Sequence, residues 1–207
     1  MSVYRNRIYP YLVNRFGDPP PIRNIRKRIV PLAQGEVLEI GAGSGANFAY
    51  YAPEQVSRLY ALDPNPGMIR LAQKQKRRTA VAVEFLGLPG ERIPLRDASV
   101  DTAVSTLTLC TIPDPAKALA GLRRVLKPQG KLIFFEHGLS PDAEVRRWQN
   151  RLEPFHRRLF DGCRLTRQIP SLLARTGFEI EQMDTGYIAE AARPWSYCWW
   201  GTAVPAP

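Results

Sequence analysis

The sequence predicts a mostly parallel α/β sheet of seven strands, with helices on both faces and an antiparallel hairpin at the C-terminal end. Three observations predict it. Residues 37–45 read Val-Leu-Glu-Ile-Gly-Ala-Gly-Ser-Gly, an apolar run that ends in a turn of alternating glycines. A second apolar run, Arg58 to Asp63, ends in a carboxylate about 20 residues further on. Beyond it, strand-like and helix-periodic runs alternate as far as residue 137, and two strand-like runs close the chain.

Residues 1–34 carry seven basic side chains, from Arg5 to Arg28, against the single acid Asp18. Tyr4, Ile8, Tyr11 and Leu12 recur at helical spacing, so a short amphipathic helix is expected there. Asp18-Pro19-Pro20-Pro21 breaks it, and a second helix covers 22–32. These two pieces form a helical lid, and 35–207 form the body of one domain.

The first strand is the run ending at Ile40, and a helix starting near Ala46 is expected to follow the glycine turn. The second strand ends at Asp63. A helix over 66–78 places Met68, Ile69, Leu71 and Ala72 on one side. Residues 80–86 and 99–105 are the third and fourth strands. A helix from Pro115 to Leu126 ends at Lys127-Pro128-Gln129-Gly130, and 131–136 is the fifth strand. A long helix over 142–160 is expected to be interrupted at Pro154, with Val145, Trp148, Leu152, Phe155 and Leu159 as its core-facing stripe. A helix over 167–176 ends at Gly177. The last two strands, 178–185 and 196–204, have no helix between them, and Trp195, Tyr197, Trp199 and Trp200 are mostly core of the final strand.

At 207 residues and 44% hydrophobic composition the chain supports one domain with a substantial core. Its net charge of +10 suits an acidic partner: a nucleic acid, an anionic membrane surface or an anionic substrate. Cys110, Cys163 and Cys198 are far apart and form no C-x-x-C pair. That spacing speaks against a disulfide scaffold and a zinc site, and for a reducing, cytoplasmic setting. No run approaches the roughly 18 apolar residues of a membrane span, and no secretory signal is recognised, so at most a peripheral membrane contact is expected.

The glycine turn lets the backbone approach a nucleotide-like ligand. Gly41, Gly43 and Ala46 also satisfy the dinucleotide fingerprint, so this turn alone does not name the cofactor. Asp63 serves either two vicinal ribose hydroxyls or the N-cap of the next helix. His137 follows the fifth strand at the carboxyl edge, where open α/β sheets bind ligands, and is the candidate general base. The bland alternative is a loop histidine bound to backbone. His156 is expected at the surface or the core edge. Cys163 is either a wall of the acceptor site or a packing thiol, and Cys110 and Cys198 read as packing.

Taken together, 37–45, Leu62-Asp63-Pro64-Asn65-Pro66-Gly67-Met68, the segment 93–101 and the segment 122–132 resemble the class I S-adenosylmethionine-dependent methyltransferases. Further matches at 105–114, Phe135-Glu136-His137-Gly138, Trp148-Gln149 and 161–167 resemble one subgroup of the methyltransferase type 11 group. That subgroup holds the methyltransferase-like seven thiol S-methyltransferases and their bacterial relatives. The resemblance implies a Rossmann-like sheet, S-adenosylmethionine as cofactor and S-adenosylhomocysteine as product; from the cysteine spacing no metal is expected.

Residue by residue, the resemblance implies that Glu39 orients the glycine loop or binds the methionine amino group. Gly41, Ala42, Gly43, Ser44 and Gly45 pack against the cofactor. Asp63 and Pro64 hold the ribose, Met68 lines the adenine, and Thr106 and Leu107 border the methionine end. Pro89 stands where the superfamily often has an acid, so backbone groups near Leu88 and Gly90 are expected to meet the adenine. Trp148 and Cys163 are the expected substrate contacts. The animal members carry an apolar N-terminal anchor where this chain has a basic segment.

Four functions follow. The first is methyl transfer to a small lipophilic acceptor, with a thiol as the best candidate. The second is transfer to a phospholipid or quinone at a membrane. The third is transfer to RNA or DNA, opposed by the lack of an appended RNA-binding motif and of an Asn/Asp-Pro-Pro-Tyr motif. The fourth is a cofactor-binding module without turnover. Oligomeric state is not legible in the sequence.

Overall fold

The computed structural model describes residues 4–206. Seven strands form one sheet: β1 (Gly35–Ile40), β2 (Val56–Leu62), β3 (Val83–Leu86), β4 (Val100–Thr106), β5 (Leu126–His137), β6 (Phe178–Tyr187) and β7 (Tyr197–Pro205). Their order is β3-β2-β1-β4-β5-β7-β6. The first five run parallel, and β7 pairs antiparallel with both β5 and β6. Chain order reverses between β1 and β4, and the crevice above such a switch point is where doubly wound sheets take ligands.

The helices are α1 (Tyr9–Phe16), α2 (Pro20–Ile29), α3 (Pro66–Gln75), α4 (Pro115–Val125), α5 (Ala143–Leu159), α6 (Ile169–Arg175) and the single turn α7 (Arg193–Ser196). The apolar runs in the central strands bury side chains on both faces of the sheet, as parallel strands require. One core gathers Leu38, Ile40, Leu119, Leu122, Phe134 and Leu173. The other gathers Val37, Leu59, Ala61, Val104, Phe135 and the α2 residues Ile25 and Ile29. No helix among the described residues is long and apolar enough to cross a membrane.

Several local expectations are corrected. No α-helix follows the glycine turn. Residues 41–47 make successive turns, with Gly45 N–H donating to Ala42 O and Phe48 N–H to Gly45 O, before a short 3-10 turn at Phe48–Tyr50. Positive φ at Gly41, Gly43 and Gly45 forbids helical continuation until residue 46. The proline run does not delay the second helix to residue 22; Pro20 and Pro21 occupy its first turn, where a missing N–H costs no bond.

The long helix α5 passes through Pro154 without interruption. It is anchored by its Asp142 cap, which accepts from Glu144 N–H and Val145 N–H, and by buried Gln149 and His156. Its expected core stripe is also corrected. Val145 is buried, but Trp148, Phe155 and Leu159 are 49%, 71% and 57% exposed. The buried line is Val145, Gln149 and His156, at steps of four and seven, and Gln149 belongs there through hydrogen bonds with Ser140 N–H, Gly138 O and Pro194 O. A short helix, α7, does lie between the last two strands, and it leaves Trp195 partly exposed.

Candidate functional site

A cavity of about 1360 Å³ opens above the carboxyl ends of β1, β2 and β4. Of the residues expected at a cofactor, Glu39, Gly41, Ala42, Gly43, Ser44, Asp63, Pro64, Met68, Gly90, Thr106 and Leu107 line it. Gly45 and Leu88 do not: Gly45 turns against Phe48, and Leu88 packs on the core below. Pro89 and Glu91 stand beside Gly90 in the wall. The helices α1 and α2 form the rim, with Tyr9, Val13, Phe16, Arg23 and Arg26 among the lining residues.

The glycine turn is built around its neighbours. Gly41 has φ +62°, and a Cβ there would run into the Thr108 side chain. At Gly43, with φ +55°, a Cβ would meet nothing nearer than Gly41 O at 3.8 Å. That open space above the Gly43 backbone leaves room for a ligand to approach it. Asp63 is buried at the tip of β2; its Oδ2 accepts from Gly43 N–H at 2.9 Å and its Oδ1 from Asn65 N–H at 2.8 Å. The capping alternative for Asp63 is overturned: Asn65 is the N-cap of α3, accepting from Gly67 N–H and Met68 N–H.

Glu39, the penultimate residue of β1, is fully buried. Its Oε1 accepts from Asn47 Nδ2 at 2.8 Å and its Oε2 from the Tyr51 hydroxyl at 2.8 Å. Burial pushes its carboxyl up to about 7 against the lowering effects of Tyr51, Arg26 and Asn47, with nearby Asp63 adding to the rise. Each oxygen keeps a lone pair for a further donor. Arg26 reaches the same spot from α2, donating through Nη1 to Asn47 Oδ1 at 2.6 Å and Thr106 Oγ1 at 2.8 Å, while its Nε meets Asp18 at 3.1 Å. A buried cation and a buried carboxylate thus flank Asn47.

Sequence reasoning missed Arg26, because nothing distinguishes it from the other basic residues of 1–34. It also missed Glu136. This carboxylate, buried at the end of β5, accepts from Ser105 Oγ and from the amides of Thr108 and Leu109 at 2.7–3.0 Å. It thereby ties down the loop after β4, whose Leu107 has φ +54°, an uncommon conformation for a residue with a branched side chain.

His137 does not line the cavity. Its Nε2 lies 2.9 Å from Cys163 Sγ, and Cys163 Sγ lies 3.4 Å from Cys110 Sγ. Cys110, read from the sequence as packing, therefore joins this group. The Cys163 thiol donates to Cys110, which holds Cys110 well below the usual thiol range against burial, with His137 adding to the effect. Burial pulls the His137 imidazole down, but the charge of Cys110, its hydrogen bond and the charge of Glu136 together outweigh this and leave it raised. The cluster lies just behind the cavity wall. Cys110 Sγ is 3.6 Å from Thr111 Oγ1, and Thr111, Tyr9 and Asp161 line the cavity. Burial raises the Tyr9 phenol, and Cys163, Asp161 and Cys110 raise it further. His156 sits at the core edge as expected, with Nδ1 accepting from Trp195 Nε1 at 3.0 Å. Trp148 lies outside the cavity wall, because the buried face of α5 belongs to Val145, Gln149 and His156.

A five-stranded parallel sheet extended by an antiparallel β7, with a glycine turn and an acid at adjacent strand tips, is the architecture of the class I S-adenosylmethionine-dependent methyltransferases. The chain belongs to this family, and a family model described as a methyltransferase domain matches residues 38–134. Among curated proteins it is similar to human thiol S-methyltransferase TMT1B, 39% identical over 158 residues, covering 73% of this chain and 64% of that protein. It is also similar to human thiol S-methyltransferase TMT1A, 33% identical over 181 residues, covering 84% of this chain and 73% of that protein. The chain thus spans just under two thirds of the TMT1B sequence it matches. A solved S-adenosylmethionine-dependent methyltransferase of Leishmania major shares the fold, with a TM-score of 0.70 at 13% identity over 97% of this chain and 80% of that one.

Proposed function

We propose that this protein transfers the methyl group of S-adenosylmethionine to the sulfur of a small, lipophilic thiol. The observation that carries the reading is the cavity in which a cradle at Gly43, the acid Asp63 and the Glu39–Arg26 pair face one space, bordered by a Cys–Cys–His cluster. Its relatives' thiol S-methyltransferase activity supports the acceptor class.

The cofactor supplies a methyl carbon on a sulfonium, a good leaving group for in-line displacement. The residues present fit such a molecule. Gly41 to Ser44 leave room for it against bare backbone, and the Asp63 carboxylate accepts from the ribose hydroxyls. Glu39 takes the amino group and Arg26 the carboxylate of the methionine end, so a zwitterion meets complementary charges. Met68 and Gly90 flank the adenine. The helices α1 and α2 act as a lid, excluding water and holding the acceptor in line; such positioning is worth about 7–11 kcal/mol of barrier. A thiol reacts as its thiolate. The acceptor enters at the Tyr9–Thr111–Asp161 end, and its proton passes into the Cys110–Cys163–His137 cluster behind the wall, with His137 as the general base.

The test is an acceptor screen with methyl-labelled cofactor over alkyl thiols, amines, phenols, quinols and phospholipids. Labelled thioether is the expected product, and His137→Ala lowers kcat while leaving cofactor affinity unchanged. Label entering only amines, quinols or lipids rejects the thiol acceptor.

Lipophilic acceptors partition into membranes, and one face of the molecule suits an anionic bilayer. Tyr11, Phe16, Phe155 and Leu159 are each more than half exposed, and the Tyr4 hydroxyl joins the two segments by donating to Leu159 O at 2.8 Å. Arg15, Arg147, Arg151, Arg157 and Arg158 lie exposed on the same two helices. We assign this face to peripheral contact with acidic phospholipid.

A further inference from the structure

We propose that Cys110, His137 and Cys163 form a three-ligand site for a thiophilic divalent ion of the zinc class, with its fourth position turned toward the cavity. The three residues come from the loop after β4, the end of β5 and the turn after α5, and their ligand atoms all lie within 4.8 Å of one another. The two sulfurs are 3.4 Å apart, and the imidazole Nε2 is 2.9 Å from the Cys163 sulfur. Tetrahedral zinc, with bonds of about 2.3 Å to sulfur and 2.0 Å to nitrogen, sets ligand separations near 3.8 Å and 3.5 Å. The two sulfurs therefore need to part by about 0.4 Å and Nε2 and the Cys163 sulfur by about 0.6 Å, with the His137–Cys110 pair adjusting from within 4.8 Å, shifts that rotation about the side-chain bonds supplies. Both thiols are buried and in the reduced form.

The chemistry of the group favours this occupant. Two thiolates and an imidazole are soft and borderline donors, the set that selects zinc over magnesium or calcium. Two thiolates also neutralise a dication, so the loaded site carries no net charge into a buried setting. The backbone around it is fixed: Glu136 holds the amides of Thr108 and Leu109, and the Cys110 carbonyl accepts from Arg164 N–H at 2.9 Å and Arg167 Nε at 3.4 Å. Three protein ligands with one open position is the pattern of a catalytic rather than a structural zinc site. Thr111 and Asp161 border that open side and line the cavity.

The fourth ligand, on the thiol reading of the function, is the acceptor sulfur. Coordination displaces the acceptor's proton to solvent and leaves a bound thiolate at neutral pH, because a dication lowers the pKa of the group it binds. In the metal-loaded protein the ion takes over the role that the proposed function gives to His137, which then serves as a ligand and not as the base. No electron changes hands, and the ion is retained after methyl transfer.

The test is cobalt titration of the chelator-treated full chain, read by absorption without cofactor or acceptor. One equivalent is expected to bind, with sulfur-to-cobalt charge transfer in the near ultraviolet and tetrahedral bands in the red, both displaced by zinc. Cys110→Ser and Cys163→Ser abolish the charge transfer while circular dichroism shows the fold intact. Addition of thioglycerol raises the charge-transfer intensity about 1.5-fold, as two thiolate ligands become three. Absence of charge-transfer bands, their survival in the doubly substituted chain, or a Cys110–Cys163 disulfide forming in place of metal uptake overturns the site. Metal uptake with no methylation of any thiol instead rejects the acceptor reading and leaves the site standing.

Discussion

The proposed pairing of Glu39 with the cofactor's amino group makes binding depend on pH in a calculable way. Burial raises the Glu39 carboxyl to about 7 despite the Tyr51 hydroxyl, Arg26 and Asn47, and Asp63 adds to the rise. A cationic amino group binds the carboxylate form and so pulls a proton off. At pH 6.0 about one Glu39 in eleven is ionised, and at pH 7.5 about three in four, a ratio near eight. The ligand's own α-amino group, with a pKa of about 8, loses about a quarter of its charge by pH 7.5. Cofactor affinity is therefore expected to rise about sixfold between pH 6.0 and 7.5.

The sign is distinctive. In the free protein a carboxyl raised from 4.5 to about 7 favours the folded state fully below pH 4.5, and that contribution fades as pH climbs through 7. Cofactor binding runs the other way, strengthening over the same window. Calorimetry in two buffers of different ionisation enthalpy measures both the affinity and the proton released, about half a proton at pH 7. Glu39→Gln keeps the side-chain shape, and the Tyr51 hydroxyl can turn to accept from the new amide, so the variant is expected to fold. Its affinity is weaker and flat across this window apart from the ligand's own titration. A wild-type dissociation constant constant within twofold from pH 6.0 to 7.5, or an undiminished slope in Glu39→Gln, would refute the contact.

Three other outcomes follow from the geometry. Gly41→Ala combines a left-handed backbone with a collision against Thr108, so it is expected to lower unfolding stability in urea by more than about 2 kcal/mol, whereas Gly43→Ala, with open space above it, loses about 1 kcal/mol but binds cofactor poorly. Equal stability losses in the two variants would contradict the cradle. Glu136→Ala leaves the buried amides of Thr108 and Leu109 without their acceptor, at about 1–3 kcal/mol each, and urea unfolding should show a loss of at least 2 kcal/mol. Phe155→Ser with Leu159→Ser, both on exposed positions of α5, should abolish co-sedimentation with phosphatidylserine vesicles and leave stability unchanged; unaltered sedimentation removes this face as the membrane contact.

What the sequence reveals of this molecule divides along a physical line. The fold class and the meeting of the glycine turn with Asp63 are legible because each depends on short segments: an apolar run, a glycine turn, an acid at a strand tip. The missing helix after the glycine turn is a local fact too, but Ala46 satisfies the fingerprint of a helix start, and only the positive φ of Gly45 shows that turns continue. On α5 the stripe of Val145, Trp148, Leu152, Phe155 and Leu159 has helical periodicity, yet the buried face holds Gln149 and His156. Periodicity measures amphipathicity and does not say whether the apolar side meets core or surroundings.

The cluster of Cys110, His137 and Cys163 is the opposite case. Its members are 27 and 26 residues apart in the chain, a spacing that matches no ligand motif. Cys110 and His137 meet because parallel strands bring the segments after β4 and β5 to one edge of the sheet, and the turn after α5 packs Cys163 against them there. Arg26 reaches the same edge from helix α2, a segment whose charges look interchangeable until the fold buries one of them beside Glu39 and Thr106. A fold of this kind concentrates chemistry where sequence separation is largest, so the absence of a local motif is weak grounds for denying a site at that edge.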